Sequence, residues 1–215
     1  EILFRTRLSE NLFKGLSPWM QKLPGGLIHV NVVGCALFAA ISGSSAATVA
    51  TVGKMSIPEL RKRNYPEKIL LGSLAGSGTL GLLIPPSIIL IIYGVAVQES
   101  IAKLFIAGIL PGIMIALIFM SYVIFWSLIN KKQMPKIVEE YSIFEKIKRS
   151  KQLLPVIFLI SAVIGSIYTG IATATEAASL GVVGALILSY FQKSLTLETF
   201  KTSLLGATKT SCMIA

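Results

Sequence analysis

Four long stretches of this sequence carry no charged side chain, and they limit what the chain can fold into. They are residues 26–53, 69–98, 104–130 and 152–175, and the last continues past Glu176 to residue 192. A membrane-spanning helix needs about 20 apolar residues, so each stretch is long enough to cross a bilayer once. Only 14% of the residues are charged, against about a quarter in soluble domains. The sequence therefore predicts an all-α integral membrane protein in a lipid bilayer and not a soluble enzyme.

The charged residues are concentrated between the uncharged stretches. The formal net charge is +10, which by itself would also suit a nucleic-acid-binding protein. The basic residues, however, cluster at residues 54–68 and 131–151, as in cytoplasmic loops that follow the positive-inside rule. We therefore expect no nucleic-acid partner and place both clusters on the cytoplasmic side.

The first uncharged stretch has basic residues on both sides and polar residues in its middle. A single crossing would place one basic cluster on the outer face, against the positive-inside rule. A re-entrant helical hairpin over residues 26–61, with its tip at residues 42–46, keeps both clusters inside. Non-helical backbone at this depth is tolerated only inside protein or beside a water-filled cavity, so the tip marks a candidate site. A tilted helix whose serines bond to backbone carbonyls is the alternative.

The second uncharged stretch contains two consecutive prolines, Pro85 and Pro86. They lack the amide hydrogens that the carbonyls of Gly81 and Leu82 would accept in a continuous helix. We therefore predict a discontinuous transmembrane helix over residues 66–98 that crosses outward. A helix over residues 103–130 then returns to the cytoplasmic side. A simple proline kink is the alternative to the break.

Two interrupted helices can bind ions without charged side chains. The first half of each ends in unpaired carbonyls, which suit a cation, and the second half begins with unpaired amides, which suit an anion. Such broken segments mark the binding sites of secondary transporters. The predicted sodium-binding residues are Ser42, Gly43, Ser44, Gly78, Gly81 and Leu82. The residues predicted to hold an anionic substrate group are Ser44, Ser45, Ala46, Pro85, Pro86 and Ser87.

The sequence lacks the residue patterns that catalysis or a resident cofactor would need. It contains no aspartate, so a Ser-His-Asp triad is excluded, and it has no Gly-rich phosphate loop and no paired carboxylates. His29 is the only histidine, and Cys35 and Cys212 are expected to be ordinary buried thiols. We therefore expect no enzymatic activity, no catalytic residue and no cofactor, with Na⁺ as the only metal ion.

Several motifs resemble the large membrane (M) subunit of tripartite ATP-independent periplasmic (TRAP) transporters. They are FAAISGSSAATVATVGKMSIPEL, NYPEKILLGSLAGSGTLGLLIPPSIILIIYGVAVQESIAKLFIAGILPG and YTGIATATEAASLGVVGAL. The resemblance implies an inverted-repeat, elevator-type transporter of the ion-transporter superfamily, with one hairpin and one discontinuous helix in each repeat. It also implies sodium-coupled uptake of an organic acid of the sialic acid or C4-dicarboxylate type by a multi-pass protein of the bacterial inner (cytoplasmic) membrane.

The same resemblance implies two protein partners. A periplasmic substrate-binding (P) protein would deliver the organic acid substrate, and a small membrane (Q) subunit, separate or fused, would support the scaffold. Two alternatives stay open at this point. One is a non-transporting membrane scaffold subunit, and the other is a binding-protein-independent sodium/carboxylate symporter.

The predicted organisation divides the chain into four segments. Residues 1–24 form an interfacial amphipathic connecting helix, and residues 25–130 form one half of a transport domain. Residues 131–151 form a cytoplasmic basic loop or arm, and residues 152–215 form incomplete scaffold helices of a second repeat. Because the chain lacks an initiating Met and ends within an apolar run, we interpret it as an internal fragment of a longer membrane protein.

Residues 173–184, TATEAASLGVVG, align without gaps to the hairpin residues 42–53, SGSSAATVATVG. The shared residues are small, so we interpret residues 173–178 as a scaffold bend or the start of an intramembrane helix. A second ligand-binding hairpin is the alternative. Glu176 is costly in an apolar run and is expected to be paired or to cap a helix N-terminus, and the neighbouring Thr175 favours capping. His29 and Asn31 are expected to snorkel or to form hydrogen bonds between helices.

Overall fold

The computed structural model describes residues 2, 8–135, 141–151 and 153–214. The regular structure in these residues is helical, without a strand, which confirms the all-α prediction. The backbone divides into two compact units, Leu12–Leu153 and a second unit that consists mainly of the residues from Leu154 onward. The helices in chain order are α1 (Leu8–Met20), α2 (Ile28–Ser42), α3 (Ser45–Lys62), α4 (Glu67–Gly78), α5 (Leu80–Leu83), α6 (Ile88–Val97), α7 (Ile101–Ile129), α8 (Ile143–Ser150), α9 (Leu154–Tyr168), α10 (Ala174–Phe191) and α11 (Leu197–Ile214).

Helices α2 and α3 form a hairpin whose turn is Gly43 and Ser44. Helix α2 packs against both α3 and α4, and the side chains of Ile28, Val30 and Val32 are fully buried. A helix that is apolar on all sides needs such surroundings, which explains its central place in the first unit. The chain thus reverses inside the range 42–46 that the sequence predicted for the tip.

Three helices, α4, α5 and α6, occupy the stretch in which a discontinuous helix was predicted. Residues 84–87 between α5 and α6 are non-helical, and the peptide bond between Pro85 and Pro86 is cis. Ile84 is extended, as expected for a residue that precedes a proline. A break, and not a simple kink, therefore separates the two halves of this segment.

Two stretches of the described residues are long and apolar enough to cross a membrane, Glu67–Val97 and Ile101–Ile129. The first contains α4, α5 and α6, and the second is α7. Large apolar side chains of α7 are widely exposed, among them Leu110 at 76% and Phe125 at 65%. Exposed apolar surface of this extent is expected for a helix surrounded by lipid.

The N-terminal helix α1 belongs to the first unit from Leu12 onward. Phe13 and Leu16 are buried, and the indole of the half-exposed Trp19 donates a 2.8 Å hydrogen bond to the Ser150 hydroxyl. Arg5 and Arg7, which belonged to the predicted amphipathic segment, lie outside the described residues. The position of α1 at the membrane interface stays a prediction.

The segment predicted as a basic loop, residues 131–151, contains the helix α8. It begins at a capping box in which the Ser142 amide donates a 3.1 Å bond to the Glu145 carboxylate. The segment is thus partly helical, and its place as a cytoplasmic loop or arm stays a prediction. The Ser-x-x-Glu spacing was the sequence signal for this helix start.

The second unit contains α9, α10 and α11. Residues 169–173 separate α9 from α10, so the apolar run from residue 152 to residue 192 is not one continuous helix. Glu176 caps the start of α10 as expected, and its partner in the capping box is Thr173. The expectation for the thiols holds for Cys35, which is buried, and was wrong for Cys212, which is exposed.

Candidate functional site

The hairpin tip is held by short-range hydrogen bonds of its serines and threonine. The Ser42 hydroxyl lies 2.7 Å from the Thr48 hydroxyl and accepts a 3.3 Å bond from the Ser44 amide. Ser44 is the N-cap of α3, and its hydroxyl accepts a long 3.5 Å bond from the Ala47 amide. The tip is therefore a concentration of neutral oxygen atoms around two non-helical residues.

Gly43 permits the reversal at the tip. Its φ of +60° lies in the left-handed region, and its amide donates to the Ala39 carbonyl to close α2. A side chain at this position would be strained by the backbone conformation. It would also meet a neighbouring segment, since a methyl group there would lie 2.7 Å from the Pro86 carbonyl oxygen.

The break between α5 and α6 is bridged by a serine hydroxyl. Pro85 and Pro86 cannot donate to the carbonyls of the preceding turn. The Ser87 hydroxyl instead donates a 2.6 Å bond to the Leu82 carbonyl, and the same residue is the N-cap of α6. Ser87 therefore holds the two half-helices at a fixed separation.

The tip and the break meet through their main chains. The Ile88 amide, the first of α6, donates a 3.2 Å hydrogen bond to the Gly43 carbonyl. On the other side of the tip, a methyl group at Gly81 would lie 2.8 Å from the carbonyl carbon and oxygen of Ser44. A methyl group at Gly78 would collide with the Val49 side chain. Glycine at positions 78 and 81 thus allows the broken helix to approach the hairpin closely.

The residues predicted to bind sodium come together at this contact, apart from the Leu82 side chain. Gly43, Gly78 and Gly81 are buried and Ser42 and Ser44 are half-buried, whereas Leu82 is 40% exposed and only its carbonyl faces the break through Ser87. The substrate set lies around the same contact. Pro85 and Ser87 are buried, Ser44, Ser45 and Pro86 are half-buried, and Ala46 is exposed.

The Ile88 amide has a role that the sequence did not indicate. Unpaired amides at the start of the second half-helix were predicted to suit an anionic substrate group, and Ile88 carries one of the first of these amides. It is instead used to join α6 to the tip. By helix geometry, the next donors in the first turn of α6 belong to Ile89 and Leu90, and these are the amides that an anion could reach. Only the packing of the hairpin against α6 shows that the amides available to an anion are those of Ile89 and Leu90 and not that of Ile88.

Comparison with known proteins supplies a family. The family described as the tripartite ATP-independent periplasmic transporter, DctM component, matches residues 1–215. The chain belongs to this family. It is 39% identical, over 167 residues, to the C4-dicarboxylate TRAP transporter large permease protein DctM of Pseudomonas aeruginosa, which covers 78% of the chain and 38% of that relative.

Two further relatives of this DctM-family chain are named for other substrates. The isethionate TRAP transporter permease protein DctMQ of Oleidesulfovibrio alaskensis is 35% identical, covering 96% of the chain and 32% of the relative. The sialic acid TRAP transporter permease protein SiaT of Haemophilus influenzae is 34% identical, covering 97% and 33%. The chain thus spans about a third of the length of these relatives. The family and these relatives are named as transporter permeases and not as enzymes.

Proposed function

We propose that this chain forms one half of the transport site of a TRAP permease that takes up an organic acid anion together with sodium. The uptake is secondary active, and the unit that contains the tip and the break moves as an elevator. The protein lies in the bacterial inner membrane as a multi-pass subunit. A periplasmic binding protein delivers the acid, and a small membrane subunit, separate or fused, supports the scaffold.

The observation that carries this proposal is the hydrogen bond from the Ile88 amide to the Gly43 carbonyl. It joins two non-helical segments that lie within long apolar stretches, where such backbone is tolerated only inside protein or beside a wet cavity. The oxygen-rich side of the contact, from Ser42 to Ser44 and from Gly78 to Leu82, suits a small cation. The first turn of α6 has the amides and the positive dipole end that suit an acid group.

Sodium would act first by ordering the tip. Its ligands would be carbonyl and hydroxyl oxygens of the two segments, so binding would draw the hairpin and the broken helix together. The acid group would then bind beside Ser44 and the start of α6. Substrate uptake would be coupled to sodium because the residues that bind the acid group are correctly arranged only while the cation holds the hairpin and the broken helix together.

The substrate class follows from chemistry and from the relatives. The chain is 34–39% identical to proteins named for C4-dicarboxylates, isethionate and sialic acid, so identity does not single out one substrate. These named substrates share an acid group, which is the part that helix amides recognise. We therefore propose an organic acid anion, of the sialic acid or C4-dicarboxylate type.

A pair of glycine substitutions tests the proposal in the full-length transporter. Gly81→Ala places a methyl group 2.8 Å from the Ser44 main chain, whereas Gly72→Ala meets no atom within 4 Å. Both add one methyl group to a helix. Overpacking typically costs about 1–3 kcal/mol, so we expect Gly81→Ala to reduce uptake by about tenfold or more and Gly72→Ala to leave it unchanged.

The measurement is uptake of radiolabelled succinate and sialic acid into proteoliposomes, with and without a sodium gradient and the cognate binding protein. We expect uptake to require both. Uptake of free acid without the binding protein would indicate the binding-protein-independent symporter. Failure of the wild type to transport any tested acid under a sodium gradient, or equal uptake by both glycine variants, would contradict the proposed site.

A further inference from the structure

A second polar cluster lies between α2 and α4, on the part of the hairpin below the tip. The Asn31 side-chain amide donates a 3.0 Å hydrogen bond to the Ser73 hydroxyl and a 3.2 Å bond to the Leu70 carbonyl. One turn along both helices, the Cys35 thiol contacts the Ser77 hydroxyl. Asn31, Cys35 and Ser77 are completely buried, and Ser73 is 9% exposed.

These contacts form two rungs between parallel helices. Asn31 and Cys35 are four residues apart on α2, and Ser73 and Ser77 are four apart on α4, so each pair lies on one helix face. The sequence separation across the first rung is 42 residues. The tip and the break meet at Gly43 and Pro86, whose separation in sequence is nearly the same.

This shared separation in sequence links the rungs to the candidate site. If α2 slipped along α4 by one turn, a rise of about 5.4 Å, the Gly43 carbonyl would lose the Ile88 amide. Apolar contacts alone define such a register poorly, because a helix that is apolar on all sides packs similarly after a slip. A buried side-chain amide with two specific acceptors restricts it, because a slip that brings Asn31 opposite Ile69 would leave its amide hydrogens without the Ser73 acceptor. A slip in the other direction would exchange Ser73 for Ser77, but it would bring Cys35 opposite Gly81, which has no side chain.

We propose that Asn31, with Ser73 and Ser77, is a positioning group that fixes the register between the hairpin and the broken helix and so sets the sodium affinity of the tip. Asn31 acts through the helices and does not contact the cation. The sodium part of this inference rests on the proposed function. The positional part rests on the hydrogen bonds alone, so the two parts are tested by different measurements.

The first measurement is binding of radioactive sodium to the purified full-length transporter. Asn31→Leu keeps the branched outline and the number of heavy atoms of the side chain and removes the interhelical hydrogen bonds. An interhelical hydrogen bond in a membrane is typically worth a factor of about three and at most about eighteen, so we expect sodium to bind about three- to tenfold more weakly. Ser73→Ala removes one acceptor and should act in the same direction with a smaller effect.

A matched control separates this effect from the general loss of a buried hydroxyl. Ser127 on α7 is 4% exposed, and its hydroxyl donates to the Ile124 carbonyl of its own helix. Ser127→Ala should leave sodium affinity unchanged. In the double variant Asn31→Leu with Ser73→Ala, sodium should bind no more weakly than in Asn31→Leu alone, because both changes remove the same rung.

The second measurement is the distance between spin labels at Ala50 and Ile92, which are exposed on α3 and α6. The exposed Cys212 is replaced by serine beforehand. We expect a narrow distribution in the wild type and in Ser127→Ala, and a broadened or shifted one in Asn31→Leu. If the wild type does not bind sodium, the proposed function fails, and the label distances still decide the positioning role. Unchanged distances and unchanged sodium affinity in both Asn31→Leu and Ser73→Ala would overturn the inference.

Discussion

At Gly43 and Gly81 the absence of a side chain allows the tip and the break to touch. The main chain of Ser44 lies against Gly81, and the Pro86 carbonyl lies against Gly43. No charged side chain belongs to this contact, so its electrostatic character comes from carbonyl oxygens, amides and hydroxyl groups. A site of this kind is sensitive to added volume more than to changes of charge.

Gly43 meets two requirements, a left-handed backbone conformation and close contact with another segment, and comparison with Gly170 separates them. Both residues have a positive φ, +60° at Gly43 and +71° at Gly170, but only Gly43 has another segment within contact distance. Alanine in this backbone conformation costs about 1–2 kcal/mol. We expect Gly43→Ala to lower the melting temperature of the purified transporter more than Gly170→Ala does, and to abolish sodium-dependent uptake.

Gly170→Ala serves as the control, because it carries the strain of the backbone without the contact. It should lower the melting temperature moderately and retain uptake. Equal losses of stability and equal uptake in the two variants would show that Pro86 does not press on the tip, against the contact described above.

Sequence alone identifies the glycines, serines and prolines of the two interruptions, because these residues change backbone geometry locally. It does not identify the partners that packing creates. The bond from Ser87 to Leu82 depends on how far the break opens, and the bond from Ile88 to Gly43 depends on the register of two separate segments. Residues 43 and 88 lie far apart in the chain, so no local pattern predicts their contact.

At the scale of elements, helix ends decide what each segment can do. The hairpin reverses within two residues because Gly43 closes α2 and Ser44 caps α3. The same kind of signal explains α8 and α10, which both begin at a capping box. Helix α8 was not predicted because the many basic residues of this segment are typical of a loop. The spacing of Ser142 and Glu145 is the more informative pattern.

The capping box of α10 allows a test of whether residues 173–178 bind ligand. The Thr173 amide and hydroxyl both donate 2.8 Å bonds to the Glu176 carboxylate. If this contact only starts a helix, Thr173→Ala and Glu176→Ala should each cost about 1 kcal/mol of stability, as for other N-caps. Sodium-dependent uptake by the correctly assembled protein should be retained.

The readouts for this pair are the melting temperature and the sodium concentration for half-maximal uptake. Thr202→Ala is the control, because its hydroxyl donates within α11 to the Glu198 carbonyl and caps no helix. Normal stability combined with lost sodium dependence in Glu176→Ala would instead identify residues 173–178 as a second ligand-binding hairpin.

At the scale of the whole molecule, uncharged length and the distribution of basic residues were sufficient to predict an all-α membrane protein. Polar residues in the middle of one apolar stretch and two consecutive prolines in another are unusual inside a membrane segment, and these two features located the interruptions. The interpretation of residues 173–178 as a scaffold bend or a helix start agrees with the beginning of α10 at Ala174, whereas the end of α9 at Tyr168 has no comparable sequence signal. The exposure of Cys212 was missed because apolar neighbours in sequence do not specify burial in the fold.

The central claim is that two non-helical main-chain segments, and not charged side chains, hold the coupling ion. Density maps of the full-length transporter, determined once in sodium and once with choline in its place, test this claim most directly. The account predicts a feature within coordination distance of oxygens in residues 42–44 and 78–82 that is present in sodium and absent in choline. Sodium-dependent density elsewhere, with both segments unchanged between the two maps, would contradict it.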